Sequence, residues 1–177
     1  MKIAFTGTSS TGKTTTANHL KANGVLKKLG LELISPPNTR AGLTQQIDEL
    51  SDFDRLRYQD QRFREKLLLE EPQTNFLVER SFVDLLAYRC SFSPSPSQSE
   101  IDMHIKLSKE YTLHFFFPFG VIPYEPDGKR PSDRYSHAIS RMIQEILETH
   151  NIDYVPLKTP SIEERCDIIF KEISKFK

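Results

Sequence analysis

The chain has 177 residues, which suits one α/β domain with its own core and is too short for two, so a single domain over 1–177 is expected. Lysine plus arginine and aspartate plus glutamate number 24 each, which excludes a whole-molecule field that would hold nucleic acid or an anionic membrane without local clusters. No apolar run approaches transmembrane length, the apolar start at Met1–Phe5 runs into a polar glycine loop rather than a signal-peptide core, and Cys90 and Cys166 match no metal spacing. A reduced protein of the cytoplasm, without membrane partners, is therefore expected.

Lys2–Thr6 is an apolar run that predicts a strand. The next eight residues, Gly7-Thr8-Ser9-Ser10-Thr11-Gly12-Lys13-Thr14, complete the spacing G-x-x-x-x-G-K-[ST], and the helix formers Lys13, Ala17, Leu20, Lys21 and Ala22 follow. Between a strand and a helix, this string predicts a nucleoside triphosphate site. Gly7 and Gly12 allow the tight turn in which the amides of Gly7, Thr8, Ser9, Ser10, Thr11, Gly12, Lys13, Thr14 and Thr15 converge, and the helix N-terminus adds its positive end. Lys13 supplies a mobile charge for the β- and γ-phosphates, and the Thr14 hydroxyl is placed to ligate Mg²⁺. A Gly/Ser/Thr-rich turn without a ligand is the plain alternative.

Leu31–Ser35 predicts a second strand. Thr44–Glu71 suits one or two amphipathic helices through Leu50, Phe53, Leu56, Phe63, Leu67 and Leu68, with a break and recap at Ser51-Asp52. On that stretch Tyr58, Gln61, Arg62 and Glu65 fall on adjoining turns of one face, which reads either as an acceptor-binding wall or as a charged solvent face. Asn75–Val78 predicts a strand that ends in Glu79-Arg80-Ser81, where open α/β sheets collect ligands. Glu79 is the candidate second carboxylate for the metal, while Ser81 as N-cap with Asp84 three residues on also reads as a capping box, and the two readings are compatible.

A helix is expected over 81–92, with Tyr88 and Cys90 at or near the core, followed by a Ser/Pro loop over 93–99 and a helix over 100–109. Thr112–Phe117 and Asp153–Pro156 complete the candidate strands. Between them Pro118–Pro131 is irregular and leads into a helix through Ile139, Met142, Ile143, Ile146 and Leu147. Lys129, Arg130 and Arg134 there read as lid cations for phosphoryl transfer, with the lid at about 118–135, or as a solvated basic loop. The last helix, 161–175, presents Ile162, Cys166, Ile169, Phe170 and Ile173. The histidines His19, His104, His114, His137 and His150 are scattered, and none receives a metal or catalytic role.

With the glycine loop, Glu79-Arg80-Ser81 and the Arg130/Arg134 segment, the chain resembles the P-loop kinases of the nucleoside and nucleotide kinase superfamily. More narrowly it resembles the small AAA-type ATPase/kinase domain that includes ribosylnicotinamide kinase and several phage proteins. The resemblance implies an α/β three-layer fold with a five-stranded parallel sheet of order 2-3-1-4-5 and helices on both faces. It also implies ATP and Mg²⁺, with Lys13, Glu79, Arg130 and Arg134 as catalytic residues, Thr14 and Glu79 at the metal, and Arg80 on phosphates. The expected partner is a small nucleoside or nucleotide acceptor contacted by Arg40, Tyr58, Gln61, Arg62 and Arg80.

Relatives commonly carry an acid near the end of the second strand as base for the acceptor hydroxyl, whereas this chain reads Ser35-Pro36-Pro37-Asn38-Thr39-Arg40. Either Asp48, Asp54 or another residue takes that role, or the acceptor is a phosphate that needs no base and meets Arg40. A hydroxymethyl pyrimidine within DNA, as in some phage kinases acting in the host cytoplasm, is the alternative acceptor, with the Arg55–Lys66 face as its basic stripe. A nucleotide-dependent switch is the rival class, although the guanine-reading Asn-Lys-x-Asp string is absent.

Overall fold

The computed structural model describes residues 1–35, 47–125 and 132–177. In chain order they form β1 (Lys2–Thr6), α1 (Lys13–Ala22), α2 (Val25–Lys28), β2 (Glu32–Ile34), a single 3₁₀ turn (Ile47–Glu49) and α3 (Asp52–Glu70). Then follow β3 (Phe76–Glu79), α4 (Phe82–Cys90), α5 (Gln98–Ser108), β4 (Leu113–Phe116), α6 (Asp133–Thr149), β5 (Tyr154–Pro156) and α7 (Ile162–Ser174). The strands make one parallel sheet of order β2-β3-β1-β4-β5, as expected. No described helix is long and apolar enough to cross a membrane.

β1, β3 and β4 are apolar almost throughout because both faces of the sheet are covered. Side chains alternate between the two faces. Ile3, Phe5, Leu77 and Phe115 pack on one side with Leu20 of α1 and Ile169 and Ile173 of α7. On the other, Ala4, Phe76 and Val78 meet Phe82 and Leu85 of α4, and Phe116 meets Val83, Leu86, Ile139 and Ile143 from α4 and α6. The register pairs Phe5 with Glu79 and Thr6 with Phe116, so β1 and its neighbours end at one level. The order of the strands reverses at β1, which puts the crevice beyond its C-terminal end.

The helix ends follow local chemistry. Ser51, Ser97, Ser132 and Ser161 each accept a backbone N–H in the first turn of the helix they precede, and Ser81 with Asp84 forms the expected capping box. Two helices depart from the apolar pattern of the sequence. On α3, Phe53 and Leu68 are 67% and 72% exposed, while Gln59, Lys66 and Glu70 are buried. Phe63 and Leu67 pack on the core as expected, and the buried Lys66 among them donates to the backbone at the end of β3. On α7, Phe170 stands 43% exposed beside the buried Cys166, Ile169 and Ile173. α2 was not expected from its short sequence.

Beneath the crevice lies a buried polar chain. The Thr6 hydroxyl stands 3.2 Å from Ser81 Oγ and 3.1 Å from His114 Nδ1, and His114 Nε2 donates to the Ser108 carbonyl at 3.0 Å. Burial pulls the His114 pKa down from 6.5 to about 4, so the folded protein holds this ring neutral. Between those two values the unfolded chain binds the extra proton and the folded chain does not, so stability is lost as pH falls from 6.5 toward 4. Urea unfolding at several pH values, compared with His114→Gln, is expected to show the wild-type advantage shrinking by about 3 kcal/mol between neutral pH and the lower value.

Candidate active site

The loop between β1 and α1 is held by contacts from outside it. Gly7, at φ +145°, donates its N–H to the buried Asp84 carboxylate at 2.8 Å, and a Cβ on it would lie 2.6 Å from the Phe117 carbonyl oxygen. Thr8 Oγ1 and the Tyr88 hydroxyl are 3.0 Å apart. Thr11 Oγ1 donates to the Thr8 carbonyl at 3.0 Å. The Lys13 ammonium, 5% exposed, donates to that carbonyl and to Thr11 Oγ1. Gly12 adopts the left-handed conformation at φ +84°, and α1 begins after it with no capping side chain, which leaves its first amides for an anion. Ser9 through Thr15, with Glu79, Arg80, Ile122, Pro123 and Glu125, line a cavity of about 470 Å³.

Opposite the loop, Glu79 closes β3. Its Oε2 accepts the Thr14 hydroxyl proton at 2.7 Å, which joins the two residues expected at the metal. The pair fits Mg²⁺, since adjacent oxygens of an octahedral shell lie about 3 Å apart when metal–oxygen bonds are about 2.1 Å. Among the described residues no group of three acidic, His or Cys side chains converges, so phosphate and water oxygens would complete the shell.

Arg80 follows in a backbone conformation rare for a side-chain-bearing residue, φ +69°. Two bonds impose it: its N–H donates to the Phe5 carbonyl at 2.7 Å, and its carbonyl accepts from Lys66 Nζ at 2.6 Å. Lys66 also pairs with Glu70, which accepts from the Tyr111 hydroxyl at 2.7 and 2.9 Å. Burial lowers the Lys66 pKa against the pull of Glu70, and burial with the Glu70 charge raises that of Tyr111. The conformation carries the Arg80 guanidinium over the Tyr88 ring, 5.4 Å from its centroid, and 3.3 Å from Ser9 Oγ. Arg80 thus reaches the phosphate loop.

The residues expected on the acceptor side lie on α3 and at the start of α6, beside α4. Tyr58 is half-buried and within electrostatic range of Arg80. Arg62 pairs with Glu65 at 3.6 Å, and Gln61 stands exposed with its amide donating to Glu65 at 2.8 Å. Arg55 Nη2 donates to the Asp48 carbonyl, and Asp48 Oδ2 accepts from both the N–H and the hydroxyl of Ser132. The Ser91 and Tyr135 hydroxyls meet at 2.7 Å, and the Tyr135 and Tyr88 rings are 6.2 Å apart. Arg134 is exposed on the first turn of α6. Arg40, Lys129 and Arg130 lie outside the described residues.

Sequence reasoning did not assign Tyr88, Tyr135, Asp84 or Lys66 to the site. Tyr88 is buried as expected, yet its hydroxyl and its ring face serve Thr8 and Arg80. For Lys66 a signal was present: Lys66 and Glu70, four apart, flank the run Leu67-Leu68-Leu69 and share a face with Gln59 and Phe63.

The sequence model described as AAA domain matches residues 2–165. No curated protein matches the chain. Among solved structures, the deoxyadenosine kinase of M. mycoides with bound dATP is similar at TM-score 0.68 and 13% identity, over 98% of this chain and 99% of that one. The thymidylate kinase of Candida albicans is similar at TM-score 0.65 and 17% identity, over 98% and 91%. YorR of Bacillus subtilis, in complex with phosphorylated GDP, follows at 0.57 and 14%, over 100% and 99%. At these identities the likeness establishes the fold.

Lys66→Met leaves Glu70 buried without its cation and frees the Arg80 carbonyl, so stability is expected to fall by about 3–5 kcal/mol. The double variant Lys66→Met with Glu70→Gln is expected to regain part of that loss. Denaturant titration of the wild type, both singles and the double closes the cycle.

Proposed function

The chain belongs to the AAA domain family, and from that membership and the built phosphate loop we propose an ATP- and Mg²⁺-dependent kinase that transfers the γ-phosphoryl group to a nucleoside monophosphate. The observation that carries this reading is the Thr14–Glu79 pair at 2.7 Å beside a loop whose lysine is already inside the cavity. The names of the similar structures, a deoxyadenosine kinase and a thymidylate kinase, support phosphoryl transfer to a nucleoside or nucleotide, and the second of them to a monophosphate.

In this reading the loop amides and Lys13 hold the polyphosphate, and Thr14 and Glu79 would hold Mg²⁺, which would neutralise phosphate charge there. Arg80, Arg130 and Arg134 supply cations to the transferring group. The bond from the γ-phosphorus to the β,γ-bridging oxygen breaks, and one forms to an oxygen of the acceptor phosphate, leaving ADP.

The choice of a phosphate over a hydroxyl as nucleophile rests on the sequence after β2, where 35–40 carries Arg40 and no acid, and on the donors near the cavity. Of the two acids named from the sequence, Asp48 Oδ2 accepts from Ser132 while its Oδ1 is buried without a hydrogen-bond partner among the described residues, and Asp54 Oδ2 accepts from the Ser51 hydroxyl at 2.6 Å. An acceptor phosphate is already ionised at neutral pH and requires no base. Arg80, Arg55 and the Tyr58, Tyr88 and Tyr135 hydroxyls would be the donors that meet it.

Incubation with γ-labelled ATP, Mg²⁺ and a panel of nucleosides and nucleoside monophosphates is expected to label monophosphates. Labelling of nucleosides alone would reassign the acceptor, and an absence of any labelled acceptor would refute the kinase. Glu79→Gln is expected to lower kcat about 10–100-fold with ATP affinity nearly unchanged, measured by steady-state kinetics and calorimetry. Arg134→Ala is expected to lower kcat in the same assay.

A further inference from the structure

Arg165, in the first turn of α7, is 2% exposed and, among the described residues, the bulkiest fully buried side chain. Its Nε donates to the Thr159 carbonyl at 2.7 Å, its Nη1 lies 3.4 Å from the Thr11 carbonyl, and its guanidinium sits 5.6 Å from the centroid of the Phe117 ring. Among the described residues it forms no ion pair. A buried cation met only by carbonyls and an aromatic face is costly unless an anion balances it. Burial accordingly draws the guanidinium pKa below its ordinary value.

Its position names the anion. A Cβ built on Gly12 would lie 2.4 Å from Arg165 Nη1, so the guanidinium rests directly against the backbone of Gly12, whose other side lines the phosphate cavity. The carbonyl of Thr11 and the amide of Gly12 belong to one planar trans peptide and point in opposite directions. Holding the Thr11 carbonyl on the α7 side therefore turns the Gly12 N–H away from α7.

We propose that Arg165 is a positioning residue for polyphosphate, acting from behind the loop: it fixes the Thr11–Gly12 peptide with its amide toward the ligand, and the bound triphosphate is the counter-charge it otherwise lacks. The inference rests on the reading of the loop as a triphosphate site. It does not depend on which acceptor the enzyme uses, and Arg165 touches neither the phosphates nor the metal pair.

The test measures binding of Mg-ATP and of inorganic tripolyphosphate to the whole protein by calorimetry, for wild type, Arg165→Gln and Arg165→Lys, with thermal unfolding of each in the presence and absence of ligand. Arg165→Gln is expected to weaken both ligands alike, about 10–100-fold, and to raise the KM for ATP more than it lowers kcat. Its ligand-free melting temperature is expected to match or exceed that of the wild type, because an unbalanced buried charge has gone, while the shift produced by tripolyphosphate shrinks. Arg165→Lys is expected to keep most of the tripolyphosphate affinity.

A ligand-free Arg165→Gln that melts lower yet binds both ligands as tightly as wild type would make Arg165 a packing residue and overturn the proposal. Loss of affinity in Arg165→Lys as great as in Arg165→Gln would overturn the role of charge. A wild type that binds neither ligand would refute the triphosphate reading itself, and this inference with it.

Discussion

The carboxylate of Asp84, fully buried, accepts the Gly7 amide on one oxygen and the Ser81 amide on the other, at 2.8 and 2.7 Å. Gly7 is the first residue past β1 and Ser81 lies just past β3, so this one side chain continues the pairing of the two strands beyond the point where their ladder stops. The Phe5–Glu79 register sets the level of the strands, but the loop that leaves β1 has no ladder partner. Charge-assisted bonds of this kind contribute about 1.5–3 kcal/mol each. The approach of Thr14 to Glu79 depends on them, because the two residues hang from opposite sides of the Asp84 bridge.

The same economy explains the buried ion pair on α3. A non-glycine residue at positive φ costs about 1–3 kcal/mol and persists only where its surroundings over-determine it. At Arg80 the Phe5 carbonyl fixes the amide and the Lys66 ammonium fixes the carbonyl. Lys66 is in turn satisfied by Glu70, and Glu70 by Tyr111. A leucine at position 66 would pack well against Phe82 and Tyr111, whose rings lie 5.1 and 5.6 Å from the ammonium, but would leave the Arg80 carbonyl without its donor.

What the sequence disclosed follows the range of the interactions. The glycine loop was legible because convergent amides demand glycine at fixed offsets, and the strands because burial on both faces produces continuous apolar runs. Glu79 was legible as the acid at a strand end, and Ser81 with Asp84 as a local capping pair. The second oxygen of Asp84, by contrast, serves a partner 77 positions away, and Arg165 serves one 154 positions away. No local pattern encodes such contacts. Nor does periodicity show that a satisfied ion pair shares the inner face of a helix with apolar side chains: of the stripe expected on α3, Phe63 and Leu67 pack on the core and Phe53 and Leu68 stand exposed, while Lys66 and Glu70 are buried.

Beside Arg80 on Ser9 and Glu79 on Thr14, the loop is anchored from outside by Asp84 on Gly7, Tyr88 on Thr8 and Arg165 on Thr11. Asp84, Tyr88 and Arg165 each take a group that would otherwise let the loop relax, the first two from α4 and the third from α7. Both motif glycines are then required on two counts, since each has positive φ and each has a neighbour where a Cβ would go, the Phe117 carbonyl for Gly7 and the Arg165 guanidinium for Gly12. A loop held in this way has its donors directed before any anion arrives, so little reorganisation is left for the moment of binding or of charge transfer. In a molecule of zero formal net charge, attraction for a polyphosphate must arise from such fixed local dipoles and from Lys13, Arg80 and Arg165 set around them, rather than from the surface as a whole.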